Sequence, residues 1–272
     1  MANRNESTVF GSFMKSPPEQ VIEWRDEMTQ AVGWLAINAR KNSVCGGGIR
    51  MQRDLEKGTV IDLAKSMSLK FSQLSPLIGG AKGGIRYDPA KADKAQVLER
   101  FVSFIKPRLM ADYGTGGDLN ISEAEIIRAM DANGIPHPQY GIAMGLAKVG
   151  LIRDGKNAVE KLRKGVMLPH EKGILMDFAT GKGVAEAARA ACKGGLKGKR
   201  AIIQGFGNVG GGVAKYLHEA GAKVVGVSDE ICGLADPEGL DVPALLRSRV
   251  GGRRLNLEEA PKRAISMQRE GI

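Results

Sequence analysis

The chain has 272 residues, 43% of them hydrophobic and 26% charged, with a formal net charge of +10. This composition fits a soluble globular protein with room for two domains, and no apolar run approaches the ~18 residues that span a membrane. Three widely spaced cysteines (Cys45, Cys192, Cys232) and an N-terminal stretch without an apolar signal core exclude a disulfide framework, a cysteine metal cluster and export, so a reducing, cytoplasmic setting is expected.

In chain order, "PEQVIEWRDEMTQAVGWLAINARKN" (18–42) reads as a helix, with proline near its start and apolar residues at mixed three- and four-residue spacing. "SVCGGGIRM" (43–51) reads as a short glycine-rich strand. In "TVIDLAKSMSLKFSQL" (59–74), Leu63, Met67 and Phe71 recur every four residues, which predicts a helix. "PLIGGAKGGIRYDP" (76–89) follows as strand and turn, with Lys82 between two Gly-Gly pairs. Such a bracket fits a solvated turn, or a lysine aimed into a cleft where backbone and substrate nearly touch. A phosphate loop is excluded, because Gly-Lys would have to be followed by Ser or Thr. Helices are expected over 91–110 and 122–134, the second with Ser122 as N-cap and Glu125 completing a capping box. Residues 135–175 hold turns and one helix, and "GKGVAEAARAACKGG" is an Ala-rich helix ending at glycine.

"KRAIIQGFGNVGGGVAKYLHEAGAKVVGVSDE" (199–230) reads as strand, glycine turn, helix, strand. Gly205, Gly207 and Gly210 fall at G-x-G-x-x-G spacing inside this βαβ context, which makes the segment a dinucleotide-binding fingerprint. The first glycine makes the turn and the second lets backbone approach the pyrophosphate. The third permits close packing of helix on strand. The following helix N-terminus, at Asn208 and Val209, supplies backbone N–H groups and a favourable dipole for the anion. An acid at the end of the second strand normally holds the ribose hydroxyls. Ser228 and Asp229 compete for that place, so the cofactor is NAD or NADP.

Much of the positive charge is local, since residues 247–272 carry six Arg and one Lys against three Glu. Elsewhere the signs are interleaved and only 5% of residues are aromatic, so no basic, base-stacking stripe exists and nucleic acid is excluded. An anionic cofactor or substrate accounts better for lysines in glycine-rich segments.

"LKFSQLSPLIGGAKGGIRYDP", "GGDLN", "ATGKGV" and "QGFGNVG" occur in this order between about residues 30 and 245. This ordered set resembles the glutamate/leucine/phenylalanine/valine dehydrogenase superfamily. The resemblance implies an α/β protein with an N-terminal substrate and assembly domain (1–175) and a C-terminal Rossmann-type domain (176–272). It also implies a homo-oligomer acting on an L-amino acid and its 2-oxo acid. By the same resemblance, Lys70 pairs with the substrate α-carboxylate, Lys82 is the catalytic lysine and Asp118 shuttles a proton at the substrate nitrogen. Gly117 would lie against the substrate, and Thr180 and Asn208 would touch the cofactor. These roles suit a zwitterionic substrate, because a lysine and a carboxylate complement its two charges.

Two departures stand out. Glutamate-specific relatives carry a lysine just before Gly-Gly-x-Arg, where this chain has Gly46; other cations, Arg50 among them, are candidates to replace it. After Asp229 no strand alternation or long helix is evident, so the Rossmann-type part looks shortened, and a non-catalytic dinucleotide-binding or assembly subunit is the alternative reading.

Overall fold

The computed structural model describes residues 9–74, 76–166, 168–170, 173–249, 255–256 and 265–268. The chain divides into two compact units, Met1–Arg163 and Lys164–Ile272. Both mix helices with sheet, the α/β class the sequence implies.

The first unit begins with α1 (Val9–Lys15), β1 (Gln20–Arg25), β2 (Val32–Ile37), β3 (Cys45–Gly46), β4 (Ile49–Gln52), α2 (Lys57–Leu74) and β5 (Gly79–Arg86). It continues through α3 (Lys94–Ala111), β6 (Tyr113–Gly114), α4 (Glu123–Ala132), α5 (Tyr140–Lys148) and α6 (Gly155–Val166), whose last residues enter the second unit. The sheet runs β1-β2-β5-β3-β6, with β4 also on β5. β1, β2 and β5 are antiparallel, whereas β3 and β4 run parallel to the two ends of β5.

The expected helix over 18–42 is instead the β1–β2 hairpin. Every residue of β2 is buried, because apolar residues cover both faces of the sheet: Leu35 and Ile37 face one cluster, and Val32, Trp34 and Ala36 the other. A strand buried on both sides loses the period-two alternation that marks strands, and its apolar run then mimics helical spacing. Trp34 Nε1 donates across the hairpin to Glu23 Oε2 at 3.1 Å. The turn is held by Asp26, whose carboxylate accepts from Thr29 and from both Nε and Nη2 of Arg100.

The helices over 59–74, 91–110 and 122–134 form within a few residues of their expected bounds. The capping box is present: Ser122 Oγ accepts from the Glu125 N–H, and the Glu125 carboxylate accepts from the Ser122 N–H at 2.8 Å. Two helices, α5 and α6, occupy 135–175 where one is expected.

The second unit contains β7 (Pro169–His170), β8 (Gly173–Ile174), α7 (Leu175–Ala191), β9 (Arg200–Gln204), α8 (Asn208–Glu219), β10 (Lys223–Ser228), β11 (Cys232–Ala235), α9 (Val242–Ser248) and β12 (Ile265–Gln268). β9, α8 and β10 form the expected βαβ unit, with β9 and β10 parallel. The segment after Asp229, which shows no strand pattern in sequence, adds β11 and β12 as an antiparallel extension in the order β12-β11-β10-β9. Both are four residues long, too short for alternation to register. Helix α7 packs on α8 where Gly181 meets Gly212: a Cβ at Gly181 would lie 2.6 Å from the Gly212 backbone.

Candidate active site

Lys82 lies in the middle of β5, not in a turn, and is only 6% exposed. Alternation along β5 places Gly80, Lys82 and Gly84 on one face. That face is covered by α2, and its missing side chains let the helix close in. A Cβ at Gly80 would lie 2.1 Å from the Ser68 nitrogen, and one at Gly84 would lie 2.6 Å from Val60 Cγ2. The other face needs glycine as well: a Cβ at Gly79 would lie 2.0 Å from the Ala39 carbonyl oxygen, and one at Gly83 2.6 Å from Ile49 Cγ1. The lysine is therefore bracketed by glycines because helix α2, strand β4 and the segment after β2 press on β5. The result is a buried ammonium inside a sheet.

Its partner is Asp118. Lys82 Nζ lies 2.7 Å from Asp118 Oδ2, and Arg50 Nε donates to the same oxygen at 2.8 Å. Arg50 stands opposite Gly84 in the β4–β5 register, which puts it on the Lys82 face while Ile49 and Met51 point into the core. Strand β4 also fixes the loop that carries Asp118. The Ile49 N–H donates to the Gly116 carbonyl at 3.0 Å, the Met51 N–H to Leu119 at 3.1 Å, and Asn120 Nδ2 to the Met51 carbonyl at 3.0 Å. Asn120 adopts φ 62°, a left-handed conformation that Asn tolerates. The Gly117 N–H is taken by Glu123 Oε2 at 2.8 Å, and a Cβ at Gly117 would lie 2.6 Å from the Ile121 carbonyl.

Burial pushes the Lys82 ammonium below its ordinary pKa, and Arg50 and Lys70 push the same way; Asp118 opposes them without cancelling the shift. For Asp118, burial acts to raise the carboxyl, but Lys82 and Arg50 outweigh it and hold it below the usual carboxylate range. The site thus sets a lysine disposed to lose its proton beside a carboxylate disposed to stay ionised. Lys70 lies on α2 with its side chain exposed, and its charge reaches Lys82. Gly46 faces apolar groups, with Ile142 Cδ1 3.2 Å and Phe71 Cε2 3.3 Å from where its Cβ would stand.

In the second unit the fingerprint glycines take three distinct roles. Gly205 turns the chain with φ 90°. Gly207 is the N-cap of α8 and has open space where a Cβ would point. Gly210 packs so closely that a Cβ would lie 1.7 Å from the Gly205 carbonyl oxygen. Room at Gly207 in front of a helix N-terminus fits a dinucleotide pyrophosphate. Asn208 and Val209 form the first turn of α8, and Thr180 is exposed on α7.

Two comparisons decide the family. Residues 18–133 match the model of the Glu/Leu/Phe/Val dehydrogenase dimerisation domain, and residues 174–270 match that of the Glutamate/Leucine/Phenylalanine/Valine dehydrogenase. The chain belongs to this family. Among its relatives is the NADP-specific glutamate dehydrogenase of Saccharolobus shibatae, 34% identical over 239 residues that make up 84% of this chain and 53% of that protein. A cryptic catabolic NAD-specific glutamate dehydrogenase of Bacillus subtilis is 34% identical over 75% of this chain and 46% of its own length. A hetero-hexameric glutamate dehydrogenase from Thermus thermophilus superposes with a TM-score of 0.65 at 23% identity, covering 87% of this chain and 56% of that one. The chain spans about half the length of the curated relatives it matches.

Within this family member, the structure brings Lys82 and Asp118 into contact, which the sequence could only align by motif. Ser228 ends β10. Asp229 is spent locally: Oδ1 accepts from the N–H groups of Ile231 and Cys232, both at 2.8 Å, and Oδ2 from that of Leu255 at 2.9 Å. Both Asp229 carboxylate oxygens thus accept backbone N–H groups within this unit. Arg50, a candidate cation for a substrate side chain, gives its Nε to Asp118. Sequence reasoning missed Glu123 and Asn120, whose work on the loop depends on backbone geometry, and Arg249, whose Nη1 reaches the Gly207 carbonyl at 3.4 Å. Among the described residues no group of His, Cys, Asp and Glu could hold a metal ion, and no helix is long and apolar enough to cross a membrane.

Proposed function

We propose that the protein is an amino acid dehydrogenase, catalysing NAD- or NADP-dependent oxidative deamination of an L-amino acid to the 2-oxo acid and ammonia, and the reverse. The observation that carries this reading is the buried Lys82–Asp118 contact at 2.7 Å. Lys70 binds the substrate α-carboxylate and Gly117 lies against the substrate. Asp118 accepts a proton from the substrate amino group, and Lys82, once neutral, activates the water that adds to the imine carbon. Lys82 then polarises the oxygen of the resulting keto acid. Gly205, Gly207, Asn208, Val209, Gly210, Ser228 and Thr180 hold the cofactor, with Asp229 shaping the turn beside them. The nicotinamide, when bound, supplies the hydride acceptor.

Residues 1–175 serve substrate binding and assembly into a homo-oligomer, and 176–272 serve the cofactor, in the cytoplasm. Glutamate and an apolar amino acid such as leucine are the two substrate candidates. The relatives' names favour the first, and the apolar surroundings of Gly46 favour the second. The test is an absorbance assay of nicotinamide reduction with a panel of L-amino acids; no turnover with any of them rejects the reading. One observation favours the alternative, a non-catalytic dinucleotide-binding or assembly subunit: among the described residues the second unit has a single parallel strand pair, where a doubly wound domain has several. Cofactor binding by calorimetry without turnover would support that subunit.

A further inference from the structure

Arg50 is the charged side chain at this site to which the roles above assign no task. It and Lys82 approach one and the same oxygen of Asp118, at 2.8 and 2.7 Å, which leaves Oδ1 as the oxygen open to other partners. The two cations differ in kind. A guanidinium keeps its charge throughout the working pH range, whereas Lys82 has to lose its proton to act as a base. When it does, the ion pair that it makes with Asp118 ceases to exist, and the carboxylate of this partly exposed loop residue would be free to turn. We infer that Arg50 is a positioning residue: it anchors Asp118 by Oδ2 through every protonation state of Lys82, so that Oδ1 stays aimed at the substrate nitrogen. The inference rests on the dehydrogenase reading for the identity of that nitrogen, though not for the anchor itself.

The backbone supports the same conclusion. Gly117 bridges in parallel to Ile49, and β4 grips the loop on both sides of Asp118 through the Gly116 and Leu119 carbonyls. Arg50 and Asp118 therefore project from neighbouring, hydrogen-bonded segments, and the contact needs little side-chain ordering. Arg50 has a second effect of the same sign for catalysis. Its charge opposes protonation of Lys82 and favours ionisation of Asp118, so losing it moves both groups away from the states that deamination needs.

The test uses Arg50→Met and Arg50→Lys in the full chain, with two independent readouts. In the first, lysines are labelled with 13C at Cε, and the Lys82 signal is assigned by its loss in Lys82→Gln. Its titration midpoint is expected to rise in Arg50→Met and to stay near the parent's in Arg50→Lys. In the second, kcat of Arg50→Met is expected to fall ~10- to 100-fold, the scale of losing alignment by about 1 Å, with KM changed less than ~3-fold. The acid limb of its kcat/KM profile should move to higher pH, and Arg50→Lys should return the limb toward the parent position. A rise confined to KM would show that Arg50 binds substrate instead and would overturn the inference. So would an unmoved Lys82 midpoint, or a pH-independent loss of activity. If Arg50→Met does not fold, Arg50→Gln is titrated under the same criteria. Absence of turnover in the parent protein would reject the dehydrogenase reading, while the 13C titration still decides whether Arg50 acts on the Lys82–Asp118 pair.

Discussion

Replacing Lys82 by methionine separates a catalytic ion pair from a structural one. The substitution keeps most of the side-chain stem in the space between Gly80 and Gly84 and removes only the ammonium. Breaking a buried ion pair costs about 3–5 kcal/mol when it strands the partner charge. Here the partner is not stranded, because Arg50 keeps its 2.8 Å contact with Asp118 and the Asp118 side chain is 28% exposed. Removing Lys82 also removes the cost of burying its own charge. The two effects oppose each other, so the net loss of stability should stay below about 2 kcal/mol. Turnover should fall at least ~10²-fold, the scale of a lost general acid–base group. Urea unfolding and the nicotinamide absorbance assay measure the two quantities on one preparation. A variant with intact kcat, or one destabilised by the full cost of a broken buried pair, would show that Lys82 and Asp118 serve the fold.

Five further outcomes are expected. Because Gly46 is walled by Ile142 and Phe71, apolar amino acids should give kcat/KM at least equal to that of glutamate; a glutamate preference of orders of magnitude would mean another cation holds its side chain. Asp26, held low chiefly by its hydrogen bonds from Arg100, and Asp118 have folded-state pKa values below their unfolded ones. Their contribution is present above about pH 4 and is lost as pH falls through the folded values, so the urea midpoint should drop on acidification, less steeply in Asp26→Asn. Gly207→Ala should leave stability within ~0.5 kcal/mol yet weaken NAD(P) binding measured by calorimetry, since its Cβ would enter open space. Gly210→Ala should lower thermal stability as well, because its Cβ would overlap the Gly205 carbonyl. Gly80→Ala should be more destabilising than Gly84→Ala, at or above the ~1–3 kcal/mol of overpacking: the first meets the α2 backbone, the second only the tips of Val60 and Leu55. Equal, small losses at both positions would show that α2 is not held by close approach.

What the sequence revealed and what it concealed follow from one distinction. The dinucleotide turn was legible because its glycines answer local demands: a left-handed turn at Gly205, open space at Gly207 and a carbonyl pressed against Gly210. The capping box at Ser122 and Glu125 was legible for the same reason. Strand β2 was not, since burial on both faces depends on α2 on one side and the core cluster on the other, and neither is local. The Gly-Gly bracket around Lys82 lay between these cases. Its glycines correctly signalled close approach, and the approaching partners are a helix, strand β4 and the segment after β2. Arg50 was the least legible of all, since its role arises from a register, Arg50 opposite Gly84, and from a loop sixty-odd residues onward that returns Asp118 to the same face. Motif order could align Lys82 with Asp118, but only strand pairing shows that a third, permanently charged group shares their oxygen. That sharing makes the pair suited to chemistry: one partner can titrate while the other is kept in place.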